Sequence, residues 1–225
     1  STFLEYVAAN TDIQALSASL ADSTIQLGKN QARGLGAGGV PAVGKASAID
    51  AAEEIKSFVD GVDMIFVTSG MGGGTGSGAA PVVAQLAKES GCLTVGIVTK
   101  PFSFEGKRRM EQAVAAIDEL QSHVDILIVV SNDKLLEIVP EGVPLQDAFA
   151  IADEILRQGI TGISDIVVKP GLINVDFADV RAVMANAGPA LMGIGTASGA
   201  GRAKQAAIAA ISSPLLDFPI EKAKG

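Results

Sequence analysis

Residues 66–88 read FVTSGMGGGTGSGAAPVVAQLAK, and five of the seven residues from Gly72 to Gly78 are glycine. The run ahead of them, Met64 to Ser69, is short, apolar and rich in β-formers, which predicts a buried strand. The run after them, from about Ala79, has helical spacing. Strand, loop from Gly70 to Gly78, then helix is an arrangement that can close on phosphate. Glycines tolerate the positive φ of an anion nest and let backbone N–H groups approach oxygen closely. A helix N-terminus adds roughly half a positive charge. Thr75 and Ser77 add hydroxyl donors. No lysine stands in the loop, so phosphate charge must be met by the dipole, by N–H groups and by a metal ion.

Outward from this stretch, FLEYVAA (Phe3 to Ala9), LTVGIVT (Leu93 to Thr99) and DILIVVS (Asp125 to Ser131) also read as strands, apolar on both faces. Helical patterns lie between them. GKASAIDAAEEIKSFV puts Ile49, Ala52, Ile55 and Val59 on one stripe, and EGKRRMEQAVAAIDELQSH does the same with Met110, Ala113, Ile117 and Leu120. Alternating strands and helices predict an α/β fold with a doubly wound, mainly parallel, Rossmann-like sheet, and ligands at the carboxyl ends of its strands. A longer helical pattern follows from Leu145 to about Val168, with Phe149, Ala152, Leu156, Ile163 and Val167 on one face and the poor helix formers Gly159 and Gly162 within it. Pro170-Gly171 breaks it. A short helix, a strand-like ALMGIG (Ala190 to Gly195) and a helix from about Gly201 to Ser212 complete the order.

The composition excludes several classes. The net charge is −8, and the one basic cluster is Lys107 to Arg109, a poor basis for nucleic-acid binding. No stretch approaches the roughly 20 apolar residues of a spanning helix, and the N-terminal STFLEYVAAN has no signal-peptide pattern. The single Cys92 rules out an internal disulfide framework and suits a reducing compartment. One cysteine and one histidine, His123 at the end of a helical run, make no structural zinc site.

Two further glycine patterns compete. GLGAGG (Gly34 to Gly39) satisfies G-x-G-x-x-G, but QLGKNQAR precedes it rather than an apolar strand, so it reads as a turn-rich loop at a helix N-terminus. GVPAVGKA (Gly39 to Ala46) has Ala46 where a P-loop needs Ser or Thr. Gly74, Gly76 and Ala79 also fit G-x-G-x-x-A, which keeps a nicotinamide enzyme as a rival. That rival wants an acidic residue at the end of the next strand, where Thr99, Lys100 and Pro101 stand.

GGGTGSG resembles the signature loop of the tubulin/FtsZ family, G-G-G-T-G-[ST]-G. NTD (Asn10 to Asp12), GLGAGG, KPFSFEGKRR (Lys100 to Arg109), SNDKLL (Ser131 to Leu136), PGLINVDFADV (Pro170 to Val180), ALMGIGTASG and AISSPLL resemble the FtsZ branch in order along nearly the whole chain. The resemblance implies a GTPase that binds GTP and GDP, with Mg2+ held through phosphates and water and no protein metal ligands. It implies that Gly72, Gly73, Gly74, Thr75, Gly76 and Ser77 hold phosphate and that Ala37, Gly38 and Gly39 face the terminal phosphate. Glu105 and Arg109 would meet the ribose, Asn132, Phe149 and Asp153 the guanine, and Asn10 would reach the nucleotide from its loop. Asp176 and Asp179 would be catalytic, oriented with help from Asn174, and would act in the pocket of the next subunit.

Geometry bears on that last point. A helix from Leu145 to about Val168 carries the chain roughly 36 Å from the phosphate loop, too far for Asp176 to reach its own nucleotide. A head-to-tail contact of this kind does not close and builds filaments. The resemblance further implies a division protein of the bacterial cytoplasm or plastid stroma, whose partners are copies of itself, division proteins, and membrane adaptors met through a C-terminal tail beyond EKAKG. No nucleic acid and no membrane insertion are expected. The expected organisation is a nucleotide-binding domain over 1–144, a connecting helix over 145–169, and a catalytic loop with the start of a C-terminal domain over 170–225. The family's first strand and its first glycine-rich loop, G-G-G-G-N, have no counterpart ahead of YVAANTD. A non-hydrolysing interaction module that caps filaments is therefore the alternative.

Overall fold

The computed structural model describes residues 4–136, 144–168, 176–193 and 195–213. Among the described residues the strands pair in parallel, with one isolated antiparallel bridge between Asp12 and Leu35. β1 (Val7–Asn10) pairs with β2 (Ser23–Gln26), and a second sheet has the order β3 (Met64–Gly70), β4 (Leu93–Lys100), β5 (Ile126–Ser131), β6 (Gly188–Ala190). Helices α1 (Ile13–Ser17), α2 (Pro41–Asp50), α3 (Ala52–Val59), α4 (Gly74–Glu89), α5 (Lys107–Gln121) and α6 (Asn132–Leu136) connect them, followed by α7 (Leu145–Val168), α8 (Phe177–Met184) and α9 (Arg202–Ile211).

β4 and β5 are buried along nearly their whole length, as a strand with two neighbours and two covered faces must be. Val98 and Leu127 point into a core shared with Ala84 of α4 and with Ala113, Ile117 and Leu120 of α5. The alternate residues Val95, Ile97, Ile128 and Val130 point to the other face, against Ile155, Leu156, Ile160 and Ile163 of α7. Gly96 makes room in the first core, since a Cβ there would lie 2.9 Å from Leu127. Behind α4 a third cluster joins Ile25 and Leu27 to Ala48, Ile55, Val82 and Leu86.

The expected α/β architecture is present, with local differences. The first strand begins at Val7 rather than Phe3 and alternates exposed with half-buried residues, so it is not apolar on both faces. β2 was not expected: STIQ buries only Ile25 and carries no apolar run. A strand therefore does precede GLGAGG, ending at Gln26. The helix from Gly44 to Val59 is two helices meeting at Ala51, and α2 turns Ala48 inward while Ile49 is 56% exposed. The strand placed at Ala190 to Gly195 is β6, ending at Ala190.

The largest correction concerns the glycine run. α4 starts at Gly74, not Ala79, so Gly74, Gly76 and Gly78 are helical. They serve close packing. A Cβ on Gly74 would lie 2.7 Å from the Val40 nitrogen, and one on Gly78 would collide with the Pro41 carbonyl. A Cβ on Gly44, across the same contact, would collide with the Gly74 carbonyl. In α7, Gly159 lies within the helix and makes room for Met192, to which a Cβ there would come within 3.1 Å. Gly162 faces open space.

Gly78→Ala should lower stability by about 2 kcal/mol, because the overpacking cost exceeds the gain in helix propensity. Gly162→Ala should raise stability by up to about 1 kcal/mol. Urea midpoints at constant m-value compare the two.

Candidate nucleotide site at the carboxyl edge of the sheet

Because the strands are parallel, their carboxyl ends share one edge, and most of the expected site residues gather there. β3 ends at Gly70, and Met71 continues the ladder by donating its N–H to the Thr99 carbonyl at 2.9 Å. Gly72 then turns with φ +100°, packed so closely on α5 that a Cβ would lie 2.8 Å from the Arg109 carbonyl. Its N–H donates to Ser77 Oγ at 2.8 Å. Ser77 is 2% exposed, so its hydroxyl closes the turn from inside rather than facing a ligand.

Gly73 is the N-cap of α4 and makes no side-chain cap. The N–H groups of Gly74, Thr75 and Gly76 belong to the first turn and have no intrahelical acceptor. No lysine or arginine lies between Gly70 and Ala87. The positive potential at this point is that of the helix end.

A second loop faces that helix end. Ala37 is buried, and its Cβ would meet a Cβ placed on Gly74 at 2.9 Å. Gly38 and Gly39 follow with φ +58° and +71° and open space on their Cβ side. The loop is tied to the end of β1, since Gly36 N–H donates to the Thr11 carbonyl and Ile13 N–H to the Gly34 carbonyl, both at 3.2 Å. Thr11 is fully buried, and its hydroxyl lies 2.6 Å from that of Thr75. Asn10, beside it, accepts the Asp12 N–H at 3.2 Å through Oδ1. Asp12 in turn caps α1, accepting from Gln14 N–H at 2.8 Å.

The third wall follows β4 and β5. Glu105 accepts the Phe102 N–H at 2.9 Å and pairs with Arg109 at 2.6 Å, with Glu105 mostly buried and Arg109 half exposed. Asn132, the first residue after β5, is 5% exposed, and its Oδ1 has no hydrogen-bond partner among the described residues. A buried amide oxygen left unpaired is costly and calls for a polar group. Its neighbour Asp133 accepts from Ser103, N–H at 2.9 Å and hydroxyl at 3.2 Å. Phe149 of α7 is 41% exposed and stands edge-on to the buried Phe102 at 5.2 Å, with Phe104 stacked on Phe102 at 4.9 Å. Asp153, one turn further, is exposed and has no partner among the described residues. The Arg157 guanidinium and the Gln158 amide bond Glu154 instead, and hold its carboxyl down at about 2.

Asp176 and Asp179 are not at this edge. Asp176 caps α8, whose Arg181 donates to the Gly91 carbonyl at 2.5 Å, two residues before β4 begins. Eight residues of β4 separate that end from the carboxyl edge, roughly 25 Å at the usual rise per residue. Both carboxylates are exposed. Asn174 lies outside the described residues. Thr11, Phe102 and Asp133 belong to the site and were not singled out from sequence. The tight KPFSFEG and SNDKLL stretches hold two of them, yet a threonine, a phenylalanine and an aspartate carry no chemistry of their own until paired with Thr75, Phe149 and Ser103.

A family model for the tubulin/FtsZ GTPase domain matches residues 2–140, and one for the FtsZ C-terminal domain matches residues 188–225. The chain belongs to the Tubulin/FtsZ family. Among solved structures, an empty FtsZ dimer from M. jannaschii is 51% identical with a TM-score of 0.92, over 95% of this chain and 62% of that one. A point mutant of the same FtsZ is 52% identical with a TM-score of 0.91, over 94% and 63%. GDP-bound CetZ1 from Haloferax volcanii is 26% identical with a TM-score of 0.70, over 84% and 58%. The chain thus spans less than two thirds of the FtsZ chains it matches. No helix among the described residues is long and apolar enough to cross a membrane.

Asp133→Ala should free the segment from Phe102 to Gly106 at a cost of about 1–2 kcal/mol. Faster amide hydrogen exchange at Ser103, with α5 exchange unchanged, is the expected readout.

Proposed function

We propose that this chain is the GTP-binding and GTP-hydrolysing part of an FtsZ-type filament protein of cell or plastid division, acting in the cytoplasm or stroma at the division site. Residues 1–144 bind nucleotide, 145–169 form the connecting helix, and 170–225 carry the catalytic loop and begin the C-terminal domain. Partners are further copies of itself, then division proteins and membrane adaptors. The observation that carries this reading is one shared edge: the α4 N-terminus, whose first-turn N–H groups lack intrahelical acceptors, packs at Gly74 against the Ala37–Gly39 loop, and Asn132, whose buried Oδ1 has no partner among the described residues, follows β5 at the same edge.

Each wall suits one part of GTP. The α4 N-terminus and the open Gly38 and Gly39 suit the phosphates, anions met by N–H groups and dipole. Gly72, Gly73 and Ser77 shape the turn that presents them. The Glu105–Arg109 pair suits a ribose, whose hydroxyls both donate and accept. Asn132 and Asp153 suit the guanine edge, where the carboxylate accepts from N1–H and N2–H2. Phe149 supplies a ring face, and Asn10 reaches in from the end of β1. Among the described residues no three His, Cys, Asp or Glu side chains are grouped to hold a metal, so Mg2+ fits here through phosphate oxygens and water. When bound it would neutralise charge developing on the β- and γ-phosphate oxygens.

Hydrolysis needs a group that orients water in line with the γ-phosphate. Within this subunit Asp176 and Asp179 stand at the wrong edge for that. In a head-to-tail stack they meet the carboxyl edge of the neighbour. There a carboxylate accepts a hydrogen bond from water and directs its lone pair at phosphorus, releasing GDP and phosphate. Asn174 orients the loop that bears them. The association is heterologous and open, which yields filaments rather than closed rings.

Two measurements test this. GDP should bind this chain with selectivity over ATP, and Asn132→Ala should weaken that binding about tenfold or more while costing the nucleotide-free protein little stability. Asp179→Ala should retain GDP affinity and lose turnover by about a hundredfold or more. Equal loss of both would remove the role in the neighbouring pocket.

A further inference from the structure

At the edge opposite the phosphate loop, a buried carboxylate has no part in the proposed chemistry. Asp125, 6% exposed, immediately precedes β5. Its Oδ2 accepts the Thr94 N–H at 2.9 Å and its Oδ1 the Asn186 N–H at 3.2 Å. Its own carbonyl accepts the Gly188 N–H at 2.8 Å. Lys88, at the end of α4, stands 3.6 Å from the carboxylate and donates to Asn186 Oδ1 at 3.1 Å. Asn186 itself takes φ +54°, a left-handed conformation that asparagine tolerates better than most residues. It is the turn between α8 and β6. On the exposed side of α8, Arg181 reaches the Gly91 carbonyl.

Apolar packing holds one side of this helix. Val180 is buried and Met184 touches the α7-side core. Between α8 and the start of β4, however, lies a cavity of about 210 Å3 lined by Lys88, Gly91, Cys92, Asp125, Arg181 and Ala185. On the side of that opening α8 is held by polar ties, Arg181 to Gly91 and Asn186 to Asp125 and Lys88. That helix begins with Asp176 as its cap and carries Asp179 in its first turn.

We infer that Arg181, Asn186, Asp125 and Lys88 are positioning residues, a polar clamp that sets the direction in which Asp176 and Asp179 leave the subunit. The inference rests on the proposed role of those carboxylates in the neighbouring pocket. A misplacement of roughly 1 Å in a catalytic group can cost about a hundredfold in rate, so loosening the clamp should reduce turnover without touching nucleotide affinity.

The test uses the full chain. Arg181→Ala should bind GDP within about twofold of the unaltered protein and lose turnover per polymerised subunit by about tenfold or more. Arg181→Lys, which keeps an N–H donor for the Gly91 carbonyl, should recover most of it. Mixing Arg181→Ala with Asn132→Ala, whose α8 is intact but whose pocket binds nucleotide weakly, at a GTP concentration that fills chiefly the Arg181→Ala pockets, should restore hydrolysis in those pockets. A purely structural lesion would lower GDP affinity alongside turnover and resist rescue by mixing, and that result would overturn the inference. Unchanged turnover in Arg181→Ala would do the same. Asp179→Ala measured in parallel separates the two ideas: if it also keeps its turnover, the role in the neighbouring pocket is wrong, whereas if it alone loses turnover, only the clamp is wrong.

Discussion

The contact between α2 and α4 is made backbone to backbone, and the rest of the candidate site depends on it. Gly44 lies against the Gly74 carbonyl and Gly78 against the Pro41 carbonyl, with no room for a side chain on either. Three glycines in the first turns of a helix cost about 1 kcal/mol each in propensity. Burial of Ile25, Leu27, Ala48 and Ile55 against Val82 and Leu86 offsets that cost. What results is a loop, Ala37 to Gly39, held over the free N–H groups of α4. Glycine here fixes a short distance between two rigid elements, which is the opposite of a flexible tether.

A parallel sheet gives the molecule two unlike edges. The carboxyl edge collects helix N-termini, turning glycines and Asn132, whose buried Oδ1 has no partner among the described residues. The amino edge collects a buried carboxylate, Asp125, and the basic Lys88 and Arg181 around it. Burial pushes the Cys92 thiol up, against the opposing pull of the nearby Arg181, so the one cysteine is kept protonated inside this edge. The separation of the edges is a consequence of strand length. It makes a head-to-tail stack the natural way to bring exposed carboxylates at one end to phosphates at the other. The local rule that strands run one way thus becomes, in the proposed function, a rule about assembly.

Much of this was readable from residue types alone. β4 and β5 announce themselves, because a strand buried on both faces has to be apolar throughout. α5 and α7 show their stripes, and the glycine run with its threonine and serine lies at the carboxyl edge of the sheet, where it was placed. The parts that were missed share a cause. β2 buries one residue, so four residues of STIQ carry almost no hydrophobic signal. The break at Ala51 lies in a sequence with good helix formers on either side, and packing rather than propensity turned Ala48 inward and left Ile49 outside. The start of α4 was placed five residues late because glycines lower helix propensity locally, and only the approach of α2 makes helix their best conformation.

The sequence by itself therefore determined the alternation of strands and helices, the buried strands and the presence of a glycine-rich turn at a helix start, since each follows from periodicity and from the special freedom of glycine. Tertiary structure alone decided which of the conspicuous residues serve that turn. Ser77, conspicuous as a hydroxyl, is spent on the Gly72 N–H inside the protein. Thr11, inconspicuous, ties β1 to α4 through Thr75. Asp176 and Asp179 stand a sheet's length away from their own subunit's loop, as the length of α7 led us to expect. Hydrogen bonds and distances across elements set these roles. They join residues tens of positions apart, a relation that local patterning does not contain.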